Sequence, residues 1–145
     1  MTAASKKDVV EWLGATYKTI LSAEDTQGSM SIVEAVSPSQ SGPPRHIHDR
    51  EDETFVVLSG ACLIWLEGDE QIIGPGETAF VPRGKEHTFK VVSDHPARLL
   101  GILSPGGFDD FFYDMAAGQF RIPEDLSAIE ERAQHYQLRF TGPAL

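Results

Sequence analysis

Residues 46–60 read HIHDREDETFVVLSG, and residues 76–87 read GETAFVPRGKEH. The first stretch places His46 and His48 two positions apart, with Glu53 five residues further on, and the second stretch ends at His87. Three imidazoles and one carboxylate are the usual ligand types for a divalent transition metal that keeps open coordination positions. The function of this chain therefore depends on whether these four side chains converge.

Strand geometry allows them to converge. Side chains at positions i and i+2 point to the same face of a β-strand, so His46 and His48 project together. We expect the acidic turn after His48 to form a tight hairpin that returns Glu53 to its side. By the same alternation, apolar residues share strand faces with Glu53 and His87 and are candidates to line a substrate pocket: Phe55, Val57, Phe89 and Val91.

The size and composition of the chain fit one globular domain. It has 145 residues, of which 41% are hydrophobic, and its single cysteine, Cys62, sits in a strand-like run typical of a buried thiol. We predict one domain over residues 1–145, with a barrel core at about 16–105 and a helical segment at about 106–145. The longest apolar run, ACLIWL, is too short for a membrane helix, and the N-terminus lacks a signal-peptide core. These features predict a cytoplasmic protein.

Charge narrows the classes of partner. The formal net charge of −10 opposes binding to nucleic acid or to an anionic membrane. It also disfavours a strongly anionic substrate unless nearby cations compensate, and Arg45 and Arg83 are candidates because each lies beside a proposed ligand segment.

Phe80 is a further candidate for an apolar pocket wall, together with Trp65. Such a wall suits a flat, aromatic substrate, although the same residues are also suited to filling a barrel core.

The order of elements indicates an all-β core with additions at both ends. Residues 6–14, KKDVVEWLG, are expected to form a short helix or a lid-like arm that stops at Gly14. Many short strands punctuated by Gly and Pro follow, a spacing that predicts an antiparallel sandwich or small barrel. FDDFFYDMAAG and EDLSAIEERAQHYQL, near the C-terminus, show helical spacing and predict two helices that flank the β core.

These motifs resemble those of the cupin superfamily. The first cupin motif, G(X)5HXH(X)3-4E(X)6G, is matched by His46, His48, Glu53 and Gly60. The second, G(X)5PXG(X)2H(X)3N, is matched at every spacing by four residues: Gly76, Pro82, Gly84 and His87. Two positions depart from the pattern. Gln40 stands where the first motif begins with glycine, Gly42 following two residues later, and Val91 stands where the second motif ends with asparagine.

The resemblance implies a fold, a metal site and a class of activity. It implies a double-stranded β-helix, or jelly-roll barrel, in which His46, His48, Glu53 and His87 hold a divalent transition metal: Fe, Ni, Co, Mn, Cu or Zn. Residues 46–60, residues 82–91 and the segment GGFDDFFYDMA also resemble small quercetin-dioxygenase-like cupins. That similarity implies a dioxygenase acting on an aromatic or enolic, flavonol-like molecule, with Glu53 accepting a proton from a substrate hydroxyl. Because cupins of this size are commonly dimers, the resemblance also implies that this chain forms a homodimer.

Two other functions remain open from the sequence. The same ligands and the same Glu53 suit a non-redox isomerase, lyase or cyclase, whose turnover would not depend on oxygen. A non-catalytic cupin that only binds a small molecule is the third hypothesis. No regulatory domain accompanies the barrel in this sequence, and the net charge opposes DNA contact, so a sensor role would require a separate partner.

Overall fold

The computed structural model describes residues 8–145, which contain eleven strands and two α-helices. The helices are α1 (Asp110–Gly118) and α2 (Leu126–Gln134). The strands are β1 (Val10–Trp12), β2 (Ala15–Leu21), β3 (Ser31–Ser37), β4 (Arg45–His48), β5 (Asp52–Ser59), β6 (Cys62–Leu66), β7 (Asp69–Ile73), β8 (Thr78–Val81), β9 (His87–Val91), β10 (Ala97–Ser104) and β11 (Leu138–Gly142).

The strands form two antiparallel sheets that pack face to face. One sheet has the order β1-β2-β3-β10-β5-β8, and the other has the order β11-β4-β9-β6-β7. Strands distant in sequence lie side by side in both sheets, as when β10 pairs with β3 on one side and β5 on the other. This arrangement confirms the predicted all-β, jelly-roll class.

Alternating burial explains why these segments form strands of a sandwich. Along β3, every second residue from Ser31 to Ser37 is buried and the residues between are partly exposed. The inward side chains of both sheets meet in one apolar core, where Val57, Cys62 and Val91 are fully buried. Burial raises the pKa of the Cys62 thiol to about 11, so this cysteine is the inert, buried thiol that the sequence predicts.

The two helices cover one edge of the sandwich through a second apolar cluster. Helix α1 buries Phe111 and Met115, and helix α2 buries Ile129 and Ala133. Trp12 from β1 joins the same cluster and donates its indole N–H to the carbonyl of Phe120. Within residues 8–145, neither helix has the length and apolar character needed to cross a bilayer.

Both ends of the chain differ from the sequence prediction. Residues 6–14 are expected from the sequence to form a short helix or a lid-like arm, and the helix is wrong for the described part, residues 8–14, because Val10–Trp12 is a strand paired with β2. Leu13 and Gly14 adopt left-handed φ angles of 52° and 82°, which close a tight β1–β2 turn. Residues 6 and 7 lie outside the described range. The second C-terminal helix stops at Gln134, and the chain then adds β11 to the edge of the five-stranded sheet.

The acidic turn between β4 and β5 is a corner rather than a hairpin. Strand β4 pairs with β9 and β11, whereas β5 pairs with β10 and β8, so residues 49–51 carry the chain from one sheet to the other. Glu53 therefore faces His48 across the interior of the sandwich instead of beside it in one sheet.

Close packing explains why the motif glycine is displaced by two positions. Gln40 adopts the left-handed φ of 67° without being glycine. At Gly42, a Cβ atom would overlap the backbone carbonyl of Phe89, because the loop runs directly over β9. The loop is held there by the N–H of Val91, which donates to the carbonyl of Ser41 at 2.9 Å. Glycine is thus required where the backbones touch.

We expect Gly42→Ala to destabilise the fold by about 1–3 kcal/mol, because backbone on both sides must shift to accept the methyl group. Gly74→Ala is the matched control, since the new Cβ there meets only Glu77 Oε1 at an ordinary 3.5 Å. Urea denaturation of both variants measures the difference. Equal stability of the two variants would contradict the requirement for glycine at position 42.

Candidate functional site

Four side chains from three strands converge inside the sandwich. His46 and His48 come from β4, Glu53 from β5 and His87 from β9, and one ligand atom from each lies within 4.8 Å of all the others. Antiparallel pairing sets His46 directly opposite His87. Glu53 Oε1 lies 3.4 Å from His48 Nε2 and 3.1 Å from His87 Nε2. The structure therefore brings together the four residues that the motif spacing singles out.

Backbone carbonyls fix the tautomers of two imidazoles. His46 Nδ1 lies 2.7 Å from the carbonyl of Pro44, and His87 Nδ1 lies 3.0 Å from the carbonyl of Lys85. A carbonyl only accepts hydrogen bonds, so each Nδ1 carries the proton when the ring is neutral. The Nε2 atom of each ring then faces the cluster, where that of His87 lies beside Glu53 Oε1, and this is the usual orientation of a metal-ligating histidine.

A buried carboxylate that sequence reasoning missed supports the third imidazole. Glu51 is only 1% exposed, and its Oε1 lies 3.5 Å from His48 Nδ1. The two atoms are close enough for an ion pair, but neither makes a hydrogen bond within residues 8–145. The position of Glu51, three residues after His48, is the only sequence signal. The neighbouring Asp49 and Asp52 look equivalent in the sequence but lie in exposed ion pairs with arginines.

Burial and mutual charge shift the pKa values within the cluster. For His46, burial and then the nearby His87 and His48 lower the pKa to about 3. For His48, burial alone would lower the pKa, but the neighbouring Glu51 and Glu53 carboxylates outweigh it and raise the pKa to about 9. For Glu53, burial would raise the pKa, but His48 and His87 outweigh it and hold the pKa far below its usual range.

This donor set suits a divalent transition metal. All three imidazoles are buried, and the Glu53 side chain is only 12% exposed. Buried polar atoms normally bind one another, water or a metal ion. His48 Nδ1 and Glu51 Oε1 make no hydrogen bond within the described chain. Three nitrogen donors and one carboxylate leave coordination positions open, as catalytic metal sites require.

An apolar cavity of about 650 Å³ begins at the cluster. His46, His48 and Glu53 line its inner end, and exposed residues such as Leu13 and Pro143 mark the side that opens to solvent. Aromatic and aliphatic side chains form most of the wall between these ends, including Tyr17, Val33, Phe55, Phe89, Leu99, Phe108 and Phe112. A cavity of this size and character is typical of a small-molecule site.

Some predicted pocket residues line this cavity and others do not. Phe55 and Phe89 are part of its wall. Val57 and Val91 share the predicted inward faces but lie fully buried in the core and outside the lining. Phe80 is 57% exposed, because β8 alternates so that Ala79 and Val81 point inward and Phe80 points to the outer face. The cavity thus occupies only part of the inward surface that strand alternation defines.

The two candidate arginines also lie outside the cavity lining. Arg45 packs over the ring of Trp65, 4.7 Å from the ring centre, and donates to the carbonyl of Pro143 at 2.7 Å. Arg83 makes two side-chain hydrogen bonds with Asp52. Because each arginine already has partners elsewhere, the lining offers neither cation to an anionic substrate.

Comparison with known sequences identifies similar proteins. The Cupin domain family matches residues 32–103. Quercetin 2,3-dioxygenase from Bacillus subtilis is 29% identical over 96 residues, which cover 66% of this chain and 28% of that enzyme. Quercetin 2,3-dioxygenase from Aspergillus japonicus is 34% identical over 73 residues, which cover 47% of this chain and 21% of that enzyme. The chain thus spans about a quarter of the length of these curated relatives.

Solved structures with the same fold include proteins of different kinds. KdgF from a Halomonas species superposes with a TM-score of 0.64 at 20% identity, over 71% of this chain and 90% of that chain. The polyketide cyclase RemF from Streptomyces resistomycificus superposes with a TM-score of 0.57 at 24% identity, over 72% of this chain and 79% of that chain. At these identities the likeness concerns the fold alone.

The pKa shifts predict how the stability of protein kept in a metal chelator varies with pH. Because the pKa of His48 is raised in the folded state, its protonation adds to the free energy of unfolding. This contribution is complete below pH 6.5 and is lost as pH rises through about 9. The lowered pKa of His46 removes stability as pH falls from 6.5 towards 3. We therefore expect urea denaturation to give maximal stability near pH 6.5, with an alkaline decline of at most about 1.4 kcal/mol per pH unit from His48.

Paired variants in one turn test the origin of the alkaline decline. Glu51→Gln should move the decline to lower pH, because the Glu51 carboxylate helps to hold the proton on His48. Asp52→Asn should leave it in place, because Asp52 bonds Arg83 outside the cluster. An alkaline decline that is identical in Glu51→Gln and the unmodified protein would show that His48 and Glu51 are not coupled.

Proposed function

This chain belongs to the cupin superfamily, and from its site we propose that it is a metal-dependent dioxygenase of a small aromatic or enolic molecule. The observation that carries the proposal is the position of the four-residue cluster at the inner end of a deep apolar cavity. Flat, apolar molecules suit such walls, and the cluster places two imidazoles and a carboxylate in the lining, next to a reacting centre. The similarity to two quercetin 2,3-dioxygenases supports the same class of chemistry.

His46, His48, His87 and Glu53 are the residues that we propose hold the metal. A bound divalent transition metal would supply Lewis-acid and one-electron chemistry at the inner end of the cavity. Imidazole and carboxylate donors are compatible with Fe, Ni, Co, Mn, Cu or Zn. Glu51 would keep the Nδ1 proton on His48, so that His48 Nε2 remains a lone-pair donor towards the cluster.

Glu53 is the proposed proton acceptor. One of its oxygens faces the His48 and His87 rings, and its Oε2 lies on the side of Gly101, where a Cβ would come within 3.4 Å. Its lowered pKa keeps it ionised at neutral pH, so it can accept the proton of a substrate hydroxyl. Dioxygen then oxidises the resulting substrate oxyanion: both oxygen atoms enter the substrate, one carbon–carbon bond breaks, and Glu53 returns its proton to the product.

The surrounding residues orient the substrate and exclude water. Phe108 packs edge-on against His48 with ring centres 4.4 Å apart, and Phe55 and Phe89 pack against each other at 5.7 Å. These rings form part of the apolar lining next to Glu53, which suits a planar aromatic substrate. Exclusion of water strengthens the charge interactions at Glu53 during proton transfer.

Proton transfer without dioxygen is the competing function. Its support is the placement of Glu53 in the cavity lining, where one carboxylate can take and return a proton at the same substrate, as an isomerase, lyase or cyclase requires. The polyketide cyclase RemF is among the proteins that share the fold. The homodimer and the cytoplasmic location that the sequence suggests stay predictions.

Oxygen uptake distinguishes these functions. We expect uptake when protein reconstituted separately with Fe(II), Ni(II), Co(II) or Mn(II) is mixed with flavonols or simpler enolic and phenolic compounds, for at least one combination of metal and substrate. His48→Ala should abolish it, because a metal ligand is lost. His95→Ala is the matched control and should retain full uptake, since the His95 side chain is 62% exposed and pairs with Asp94.

Three outcomes would contradict the dioxygenase. Uptake that persists in His48→Ala would place the reaction outside the cluster. Substrate conversion at the same rate without oxygen would establish the non-redox function instead. Tight metal binding with substrate binding but no conversion of any compound would favour a non-catalytic binding protein.

A further inference from the structure

The cavity extends well beyond the metal-ligand cluster. Its lining continues along the six-stranded sheet past Val33 and Ala35 to Tyr17 on β2. Only three of the lining residues, His46, His48 and Glu53, belong to the cluster. A substrate that filled only the cluster end would leave most of this apolar space empty.

Small side chains create the extra space. Ala15, Ala35 and Gly101 occupy inward positions of the six-stranded sheet, where such sheets normally carry large apolar residues. Tyr17 pairs in register with Ala35, so no bulky neighbour on β3 covers its ring. At Gly101 the lack of a side chain leaves the space beside Glu53 open. The free volume therefore connects the neighbourhood of Glu53 to that of Tyr17.

Aromatic packing fixes the ring of Tyr17 in this wall. It stacks on Phe112 with ring centres 4.3 Å apart and an angle of 13°. Phe112 in turn packs edge-on against Phe108, which contacts His48. A continuous series of ring contacts thus joins Tyr17 to the cluster and sets its position relative to the reacting end.

The Tyr17 hydroxyl differs from the other two tyrosine hydroxyls. Tyr136 donates to Asp114 Oδ2 at 2.7 Å, and the Tyr113 hydroxyl accepts the N–H of Thr19 and donates to the carbonyl of Asp8. Tyr17 makes no hydrogen bond within residues 8–145, and its half-buried side chain lines the cavity. A tyrosine hydroxyl set among apolar side chains normally has a polar partner. A ligand in the cavity can supply this partner to the Tyr17 hydroxyl.

We propose that Tyr17 forms a distal subsite that recognises a second oxygen of the substrate. The ligand would be a flat, mainly apolar aromatic compound with one oxygen-bearing end at Glu53 and a hydroxyl or carbonyl at the far end. The phenol of Tyr17 donates a hydrogen bond to that distal oxygen, or accepts one when the distal group is a hydroxyl, and its ring packs against the substrate body. This inference rests on the proposed function only in assigning the reacting end of the substrate to the cluster.

Binding of two related probes to metal-loaded protein without oxygen tests the subsite. Quercetin carries hydroxyls far from its reacting end, and the unsubstituted parent flavonol lacks them. We expect Tyr17→Phe, which keeps the ring and its stacking, to weaken quercetin binding about three- to ten-fold, the effect of one neutral hydrogen bond. Binding of the parent flavonol should not change. Calorimetric titration gives both dissociation constants.

Tyr136→Phe is the matched control, because its hydroxyl bonds Asp114 outside the cavity lining. It should change neither dissociation constant. Equal effects of Tyr17→Phe on both probes, or no effect on either, would overturn the subsite. No binding of either probe to the unmodified protein would overturn both the subsite and the flavonol-like substrate. Tyr17-dependent binding without oxygen uptake would support the subsite and overturn only the dioxygenase function.

Discussion

The interaction on which this structure depends is the contact of the buried Glu53 carboxylate with the imidazoles of His48 and His87. An ionised carboxylate inside an apolar sandwich is unfavourable unless charged or hydrogen-bonding partners surround it. The partners must come from another sheet, because Glu53 lies on β5 whereas both histidines lie in the five-stranded sheet. The site therefore requires both the corner after His48, which carries the chain to the other sheet, and the pairing of β4 with β9, which brings the histidines together.

The apolar space follows from how the two sheets and the helices divide the interior. Large side chains such as Val57, Ile64 and Val91 fill one part of the sandwich and exclude solvent. Elsewhere small inward residues leave a cavity, and Phe108 and Phe112 close over it. The same barrel therefore supplies both a packed core and a binding chamber. The difference lies in a few side-chain sizes rather than in the path of the backbone.

The sequence predicted the cluster well because motif spacing and strand alternation act locally. Motif spacing singled out His46, His48, Glu53 and His87, although Glu53 reaches the others across a corner rather than through the expected hairpin. Strand alternation also predicted most central strands. Long-range pairing was not predictable: nothing local marks β11 as a partner of β4, and the corner at residues 49–51 resembles a hairpin turn. The sequence also did not show which side chains are buried. Glu51 looks like its acidic neighbours, and alternation alone did not separate the outward Phe80 from the cavity-lining Phe89.

The most direct test of the central claim is X-ray absorption of the protein loaded with cobalt(II), together with the metal content per chain. If the four side chains form one site, the protein should bind one cobalt per chain. The spectrum should show the multiple scattering of three imidazoles, with the remaining ligands being oxygen atoms. Metal bound without imidazole scattering, or no stoichiometric binding at all, would contradict the account.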